Sequence, residues 1–457
     1  MSSTLAPSAE KSLKDAALKA ELQRLRQTDN RTNWYFLVRT YLFLAVVIGG
    51  AVWFDQVRQE HSWCLLWSVA VFVPAIIVIG ACQHQLSGLA HEGTHHILFK
   101  NRTLNEFVSD WFCLFPLFSS THHYRLQHLA HHQFVNDPQR DPDISQLQTS
   151  GHWLSFPVSA RQFLRSLVKQ LWLPNLARFI LVRAQYNATG TDKNPYLRKG
   201  AKQSKLAVRI GLLYLVSLFA TLVACVYYEQ PTLLAVIPAV LWLAVMTAFA
   251  ALPGSKFHQS RLHPVISQKT MSMLRVSYLT LVFAALAWVQ VLTGVWAWAY
   301  YGLLWLVPIF TSFSFFMIMR QWVQHGNGDR GWLTNTRVFY VDQFINFAVF
   351  PMGMEYHLPH HMFATVPHYR LKELHAVLLQ YPEYRKEAIE VHGYFRSPEH
   401  PQVHPTVVDV LGPDYAAQEF RGVYIDNTVL DDCEVEEKEQ IVAEGETEKE
   451  RIARANG

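Results

Sequence analysis

The sequence predicts an all-α, multi-pass integral membrane protein. About six transmembrane helices in three hairpins are expected, with interfacial or re-entrant helices and a cytoplasmic histidine-rich cap. Three observations predict it. Half of the 457 residues are hydrophobic and only 17% are charged, with a mean hydropathy of +0.06. The apolar residues are bunched: 276–319 runs 44 positions without Asp, Glu, Lys or Arg, where an uncharged run of about 18 already marks a membrane helix. Histidine is abundant, with 22 in all and nine between His84 and His132. These features argue against a soluble enzyme and against a disordered chain. A net charge of +4 without a basic stripe argues against nucleic acid as a partner. The five cysteines form no Cys-x-x-Cys pair, so neither a disulfide framework nor a cysteine zinc site is expected.

Residues 1–33 form a polar cytoplasmic segment with no cleavable signal peptide. The first apolar run is 34–53, broken only by Arg39, and the second is 62–81. The run 104–120 carries Glu106 and Asp110. It is too short and too charged to span, and reads as a re-entrant or interfacial helix. A polar, basic stretch fills 121–209, of which 145–205 has no assignment. Runs 210–228 and 232–252 are separated by Glu229-Gln230-Pro231. The long run 276–319 holds two crossings, turning near Thr293-Gly294. A membrane domain, 34–378, would be followed by a cytoplasmic segment, 379–425. The tail 426–457 reads as disordered, because 11 acidic residues between Asp426 and Arg451 face only Lys438, Lys449 and Arg451.

Orientation follows from positive charge. Of the 40 Lys and Arg, all but Arg39 and Arg58 lie on the side of 1–33, 82–209, 253–275 and 320–457. That side, with both termini, is expected to be cytoplasmic.

All the histidine clusters fall there too. His91-Glu92-Gly93-Thr94-His95 follows the second span, and helical i and i+4 residues share a face. His128-Leu129-Ala130-His131-His132 and His357-Leu358-Pro359-His360-His361 place three imidazoles each on one face. A lone His325 stands just past the last span. Clusters of this kind hold Fe, Zn or Cu. The candidate ligands are His91, His95, His128, His131, His132, His325, His357, His360 and His361. Nine nitrogens are too many for one ion of four to six ligands and suit two metals with vacant positions. The remaining histidines, including His84, His96, His122, His123, His258, His368, His375, His392 and His404, read as hydrogen-bonded or interfacial residues.

The chain here resembles the membrane fatty acid desaturase superfamily, which also includes lipid hydroxylases and carotenoid ketolases. The resemblance covers about 84–375 and rests on the three histidine boxes in order. Their flanks support it: Tyr124-Arg125 before the second box, Asn136-Asp137-Pro138 and Asp141-Pro142-Asp143 after it, and Glu355-Tyr356 before the third. His325 matches a family histidine preceding the third box. The first box begins His-Glu, where many relatives have His-Asp. The resemblance implies two histidine-ligated non-haem irons at the cytoplasmic face. It also implies activation of dioxygen and removal of hydrogen from an acyl methylene: a second hydrogen lost gives a double bond, and oxygen rebound gives a hydroxyl. Glu92, Asp137, Asp141 and Asp143 are candidate partners for imidazole N–H groups. An acyl lipid would enter from the bilayer. Electrons would come from an external donor of ferredoxin or cytochrome b5 type, since no His-Pro-Gly-Gly motif or dinucleotide fold is seen. The basic stretch 161–209 would meet that donor or anionic lipid, and the lipid reading is preferred.

Two other classes compete. His91-Glu92-x-x-His95 is also the zinc metalloprotease motif, with Glu92 as general base, but a protease leaves two His-x-x-His-His boxes unused. A metal transporter needs ligands near the bilayer midplane, whereas these lie at helix ends.

Overall fold

The computed structural model describes residues 11–190, 194, 196–197 and 203–415. The expected acidic tail lies outside them.

Among the described residues, six helices are long and apolar enough to cross a membrane: Thr32–Glu60, Leu66–Thr94, Leu206–Tyr227, Pro231–Ala251, Gln268–Thr293 and Ala297–His325. They pair as three hairpins, as expected. The first two have 29 residues each, about 43 Å at 1.5 Å per residue, and so extend well past the apolar runs that announced them. The apolar run marks only the lipid-facing stretch; backbone hydrogen bonding carries each helix on into polar sequence. Val38, Leu42, Phe43 and Val46 on the first span, and Leu212, Leu213 and Val216 on the third, stay exposed, as lipid-facing side chains do. The second span differs. Every residue from Ile79 to Thr94 is buried, because the first span, the last span and the cap surround it. Gly80 permits the closest approach: a side chain there would meet Ser312 and, at 2.6 Å, the backbone nitrogen of Phe313. The Ser312 hydroxyl also donates to the Ile76 carbonyl at 2.7 Å. Small residues and hydroxyl bonds of this kind join helices where lipid offers no hydrophobic drive.

The third, fourth and fifth spans form their own apolar core around Leu218, Leu222, Phe249 and Ala287. Trp242 donates to the Ser277 hydroxyl across it at 2.8 Å. The fifth span ends at Gly294, whose φ of +71° is the left-handed turn that glycine supplies without strain. The last span contains two π-helical stretches, Gly302–Leu306 and Ile309–Phe313.

The run 104–120, expected to be a re-entrant or interfacial helix, is helical from Arg102 to Leu117 but changes its winding along the way. It is a short α-helix, Arg102–Val108, then a π turn, Ser109–Leu114, then a 3-10 turn, Phe115–Leu117. Leu104, Phe107 and Phe112 are exposed, while Asn105, Glu106, Ser109 and Asp110 are buried against the second span. Among the described residues, the unassigned stretch holds three helices, Pro142–Ser150, Ala160–Gln170 and Leu173–Asn187. In Ala160–Gln170, Phe163, Leu167 and Gln170 face inward at helical spacing. Leu164, Val168, Leu171, Trp172 and Leu173 are exposed among Arg161, Arg165 and Lys169, the pattern of a helix lying in a membrane surface.

One end of the bundle carries the cap. Its core joins the N-terminal helix Ala16–Leu25 to the third box and to residues as late as Leu411, so residues on both sides of 378 share one core. A two-stranded parallel ladder, β1 (Val338–Tyr340) with β2 (Glu390–His392), ties the end of the chain to the segment before the third box.

Candidate metal centre

The first box sits on the last turns of Leu66–Thr94, which runs on without a break through His91. The expected i, i+4 geometry therefore holds. The helix must then stop inside protein, and its last carbonyls need donors. Arg125 supplies them: its side chain donates to Thr94 O at 2.9 Å and to Gly93 O at 2.8 Å. Arg125 is itself held by a buried ion pair with Glu106 at 2.6 Å. Arg125 lies on Thr121–Phe134, the helix of the second box. One side chain thus sets the first box against the second. At the start of the second helix, Asp110 accepts from the Thr121 backbone N–H at 2.6 Å. The two acids that barred 104–120 from the membrane are the fasteners of the second box.

His325 is the final residue of the last span, not just beyond it. The third box is a short helix, His357–Met362. All nine sequence-chosen histidines meet. His91, His95, His128, His132 and His360 form one group, and His131, His325, His357 and His361 another, each with ligand atoms within 4.8 Å of one another. The contacts run from Nε2 to Nε2: His95 to His128 at 2.8 Å, His128 to His132 at 2.9 Å, His132 to His360 at 3.1 Å. In the second group His325 meets His357 at 2.9 Å and His131 at 3.2 Å, and His361 meets His357 at 3.1 Å.

A ring of imidazole nitrogens cannot satisfy itself, because each close pair needs a proton that only one member can donate. Both nitrogens of His91, and Nδ1 of His132, His357 and His360, are buried without a hydrogen-bond partner. Burial, reinforced by the charge of neighbouring histidines, pushes the pKa of His95, His128, His132, His357, His360 and His361 well below the ordinary histidine range. Neutral imidazoles with convergent lone pairs are the form a metal binds. His131 runs the other way. Burial opposes its charging, but Asp141 and Asp143 outweigh burial and raise it to about 9.

Outer contacts fix two of the tautomers. His131 Nδ1 donates to Asp141 at 3.0 Å, and His325 Nδ1 donates to the Asn335 carbonyl at 3.0 Å, leaving Nε2 of each to face the group. Asp141 is itself held by the backbone N–H groups of Asn136 and Asp143. Asp143 accepts from Gln127 at 3.1 Å and stands 3.9 Å from His131. Glu92 lies 3.8 Å from His91 Nδ1 and accepts the His368 backbone N–H at 2.9 Å. Asp137 reaches no imidazole; it pairs with Arg140 at 2.7 Å and Arg330 at 3.2 Å. Asp137 is itself buried, but it lies past the end of the second-box helix, where the more exposed Arg140 and Arg330 close over it. Arg125 is legible only as a flank of the second box, not as the cap of the first, and the Asn335 carbonyl is not legible at all. The charges at 106 and 110 were a signal for the first, and no side-chain signal exists for the second.

The other histidines find separate partners: His122 the Ser260 hydroxyl at 2.9 Å, His84 the Ala348 carbonyl at 2.8 Å, His368 the Asn33 side chain at 3.0 Å. In the cap, Glu399 bonds both His392 and His404 beside Glu390.

A cavity of about 310 Å³ touches His91, His128, His131, His325 and His357. A second, of about 290 Å³, is lined mainly by apolar residues such as Leu114, Leu181, Leu306 and Phe313 and shares Tyr124 and Arg183 with the first.

The fatty acid desaturase family profile matches residues 66–274 and 252–392. The chain is 23% identical over 375 residues to a dihydrorhizobitoxine desaturase of Bradyrhizobium elkanii, covering 80% of this chain and 84% of that one. It is 30% identical over 108 residues to the Delta(5) fatty acid desaturase fat-4 of Caenorhabditis elegans, covering 24% and 23%. With six membrane-capable helices and buried histidine clusters able to bind metal, this chain belongs to the fatty acid desaturase family and is a membrane oxidoreductase.

Proposed function

We propose that the protein is a di-iron desaturase that inserts a double bond into the acyl chain of a membrane-borne substrate, using dioxygen and electrons from an external carrier of ferredoxin or cytochrome b5 type. The observation that carries this reading is the grouping of nine imidazoles, eight buried and that of His325 half-buried, into sets of five and four, beside a cavity that shares Tyr124 and Arg183 with an apolar one. His91, His95, His128, His132 and His360 would hold one iron, and His131, His325, His357 and His361 the other. With six positions per iron, one and two would stay open. Iron is preferred to zinc because removing two hydrogens is a redox reaction and zinc has no redox chemistry. The irons would supply, when bound, the dioxygen chemistry that takes hydrogen from an unactivated methylene.

The chain's own residues do the rest. Asp141 holds the His131 proton on Nδ1, and the Asn335 carbonyl holds that of His325, so both rings keep Nε2 free and fixed in direction. The fully buried first box keeps bulk water away from the reacting carbon. The apolar cavity between Leu173–Asn187 and the last span would hold the acyl chain, and it meets the histidine-lined cavity at Tyr124 and Arg183. The positive-charge count supports a cytoplasmic position for the histidine end and both termini. The basic and apolar helices over 160–187 support contact with anionic lipid at that surface.

The two relatives are named for different substrates, so the acyl choice rests on the family and the apolar cavity. Metal analysis of the purified protein should give about two irons per chain. Mass spectrometry of total lipids with and without expression should show a product lighter by two hydrogens. A product that gains oxygen would make it a hydroxylase or ketolase. One zinc and no iron would return the reading to a metalloprotease, in which Glu92→Gln should abolish activity; a desaturase should still form product with that substitution.

A further inference from the structure

We propose that the cavity beside the histidines receives an anionic head group, a carboxylate or phosphate, of an amphiphile whose chain runs off through the apolar cavity. The proposal takes from the desaturase reading only that this amphiphile is the substrate; the anion site itself stands on the arginines.

Arg183, from Leu173–Asn187, and Arg320, from the last span, both line the cavity that touches the clustered histidines. Each is 8% exposed. Among the described residues neither makes an ion pair with a carboxylate, while the buried Arg125 does so with Glu106. Arg320 Nε is buried without a hydrogen-bond partner, and so is Oε1 of the adjoining Gln321. The close contacts of Arg183 are all to neutral groups: Gln146 Oε1 at 3.5 Å and Tyr124, whose hydroxyl oxygen accepts from it and whose ring centroid lies 5.7 Å away. A guanidinium taken out of water without a counter-ion carries a desolvation cost that only an anion offsets well.

The acidic residues in the same lining do not supply it. Asp141 is taken by His131 and two backbone N–H groups. Asp143 accepts from Gln127 and stands 3.9 Å from His131; its charge is felt at Arg183, but among the described residues it forms an ion pair with neither arginine. Two fork-shaped donors near one another match the oxygens of a carboxylate or phosphate. The apolar cavity, lined by Leu114, Leu117, Leu306 and Phe310, begins where Arg183 and Tyr124 belong to both linings. A head held by the arginines therefore leaves the chain pointing into apolar surroundings. The methylenes nearest the histidines are then those close to the head, not those at the chain's far end.

The test uses the purified, iron-loaded, full-length protein in detergent, with binding read from tryptophan fluorescence, since Trp153 and Trp322 line the cavity. The probes are hexadecanoate, hexadecyl phosphate and methyl hexadecanoate. At least one anion should bind about tenfold or more tighter than the ester, and the tighter of the two identifies the head. Arg320→Gln and Arg183→Gln should each lower that anion to the affinity of the ester while leaving ester binding and iron content as in the wild type. Equal binding of all three probes by the wild type overturns the proposal, as does a preference for the anion that survives both substitutions. Should Arg320→Gln fail to fold, the wild-type comparison and Arg183→Gln still decide. An arginine-dependent anion preference in a protein that forms no double bond would sink the desaturase reading and leave this one standing. Desaturation of esterified lipid with no anion preference would do the reverse.

Discussion

An imidazole can present only one nitrogen to a metal, so the group on its other nitrogen decides whether the ring is ready. At His131 that group is Asp141, and at His325 it is a backbone carbonyl. Asp141→Asn keeps the shape but swaps a committed acceptor for an amide that can turn a donor toward Nδ1. Iron affinity should fall about 10- to 100-fold, seen as iron lost during dialysis against a chelator, while the circular dichroism spectrum stays helical. His325→Ala removes a nitrogen from the group of four and should abolish product in the lipid assay. His122→Gln is the contrasting case. His122 bonds to Ser260, away from both groups, and this variant should keep its iron and its product.

At the scale of elements, the site depends on where helices stop and how close they come. The Arg125–Glu106 pair holds the end of the first-box helix against the second. Arg125→Met would leave Glu106 buried and unpaired, and should cost about 3–5 kcal/mol. Thermal unfolding in detergent should show the loss, and adding Glu106→Leu should restore part of it. At Gly80 the cost is steric. Gly80→Leu would drive a side chain into Ser312 and the Phe313 backbone, prying the last span and His325 off the second span. Overpacking of this kind costs about 1–3 kcal/mol or more, and here it should lower iron content as well as melting temperature.

For the whole molecule, the question is which side of the membrane the histidine end occupies. The hairpin arrangement puts the turn between the first two spans at the opposite end from the boxes. Cys64 lies in that turn and is exposed, whereas Cys82, Cys113 and Cys225 are buried. In intact cells a membrane-impermeant thiol reagent should label Cys64 from outside and leave Cys433 untouched. Cys64→Ser should remove the label. Labelling of Cys433 in place of Cys64 would invert the orientation.

Uncharged runs of bilayer length, the excess of Lys and Arg between alternate runs, and imidazoles at one-face spacing are local or compositional signals. They were enough to determine six spans, three hairpins and all nine histidines that meet. The segments between spans carry no such periodicity, so 145–205 has no assignment from sequence, and the π and 3-10 turns within 104–120 leave no mark there. What only the tertiary structure decided is the partition of nine imidazoles into five and four: His131 and His132 are neighbours on one helix yet belong to different groups. It also decided that Asp141 faces an imidazole while Asp137 turns to arginine, and that Arg320 forms no ion pair among the described residues. Spacing along a helix tells which side chains share a face, but the partner of that face comes from a distant part of the chain. Packing around Gly80 and Arg125 settles which partner that is.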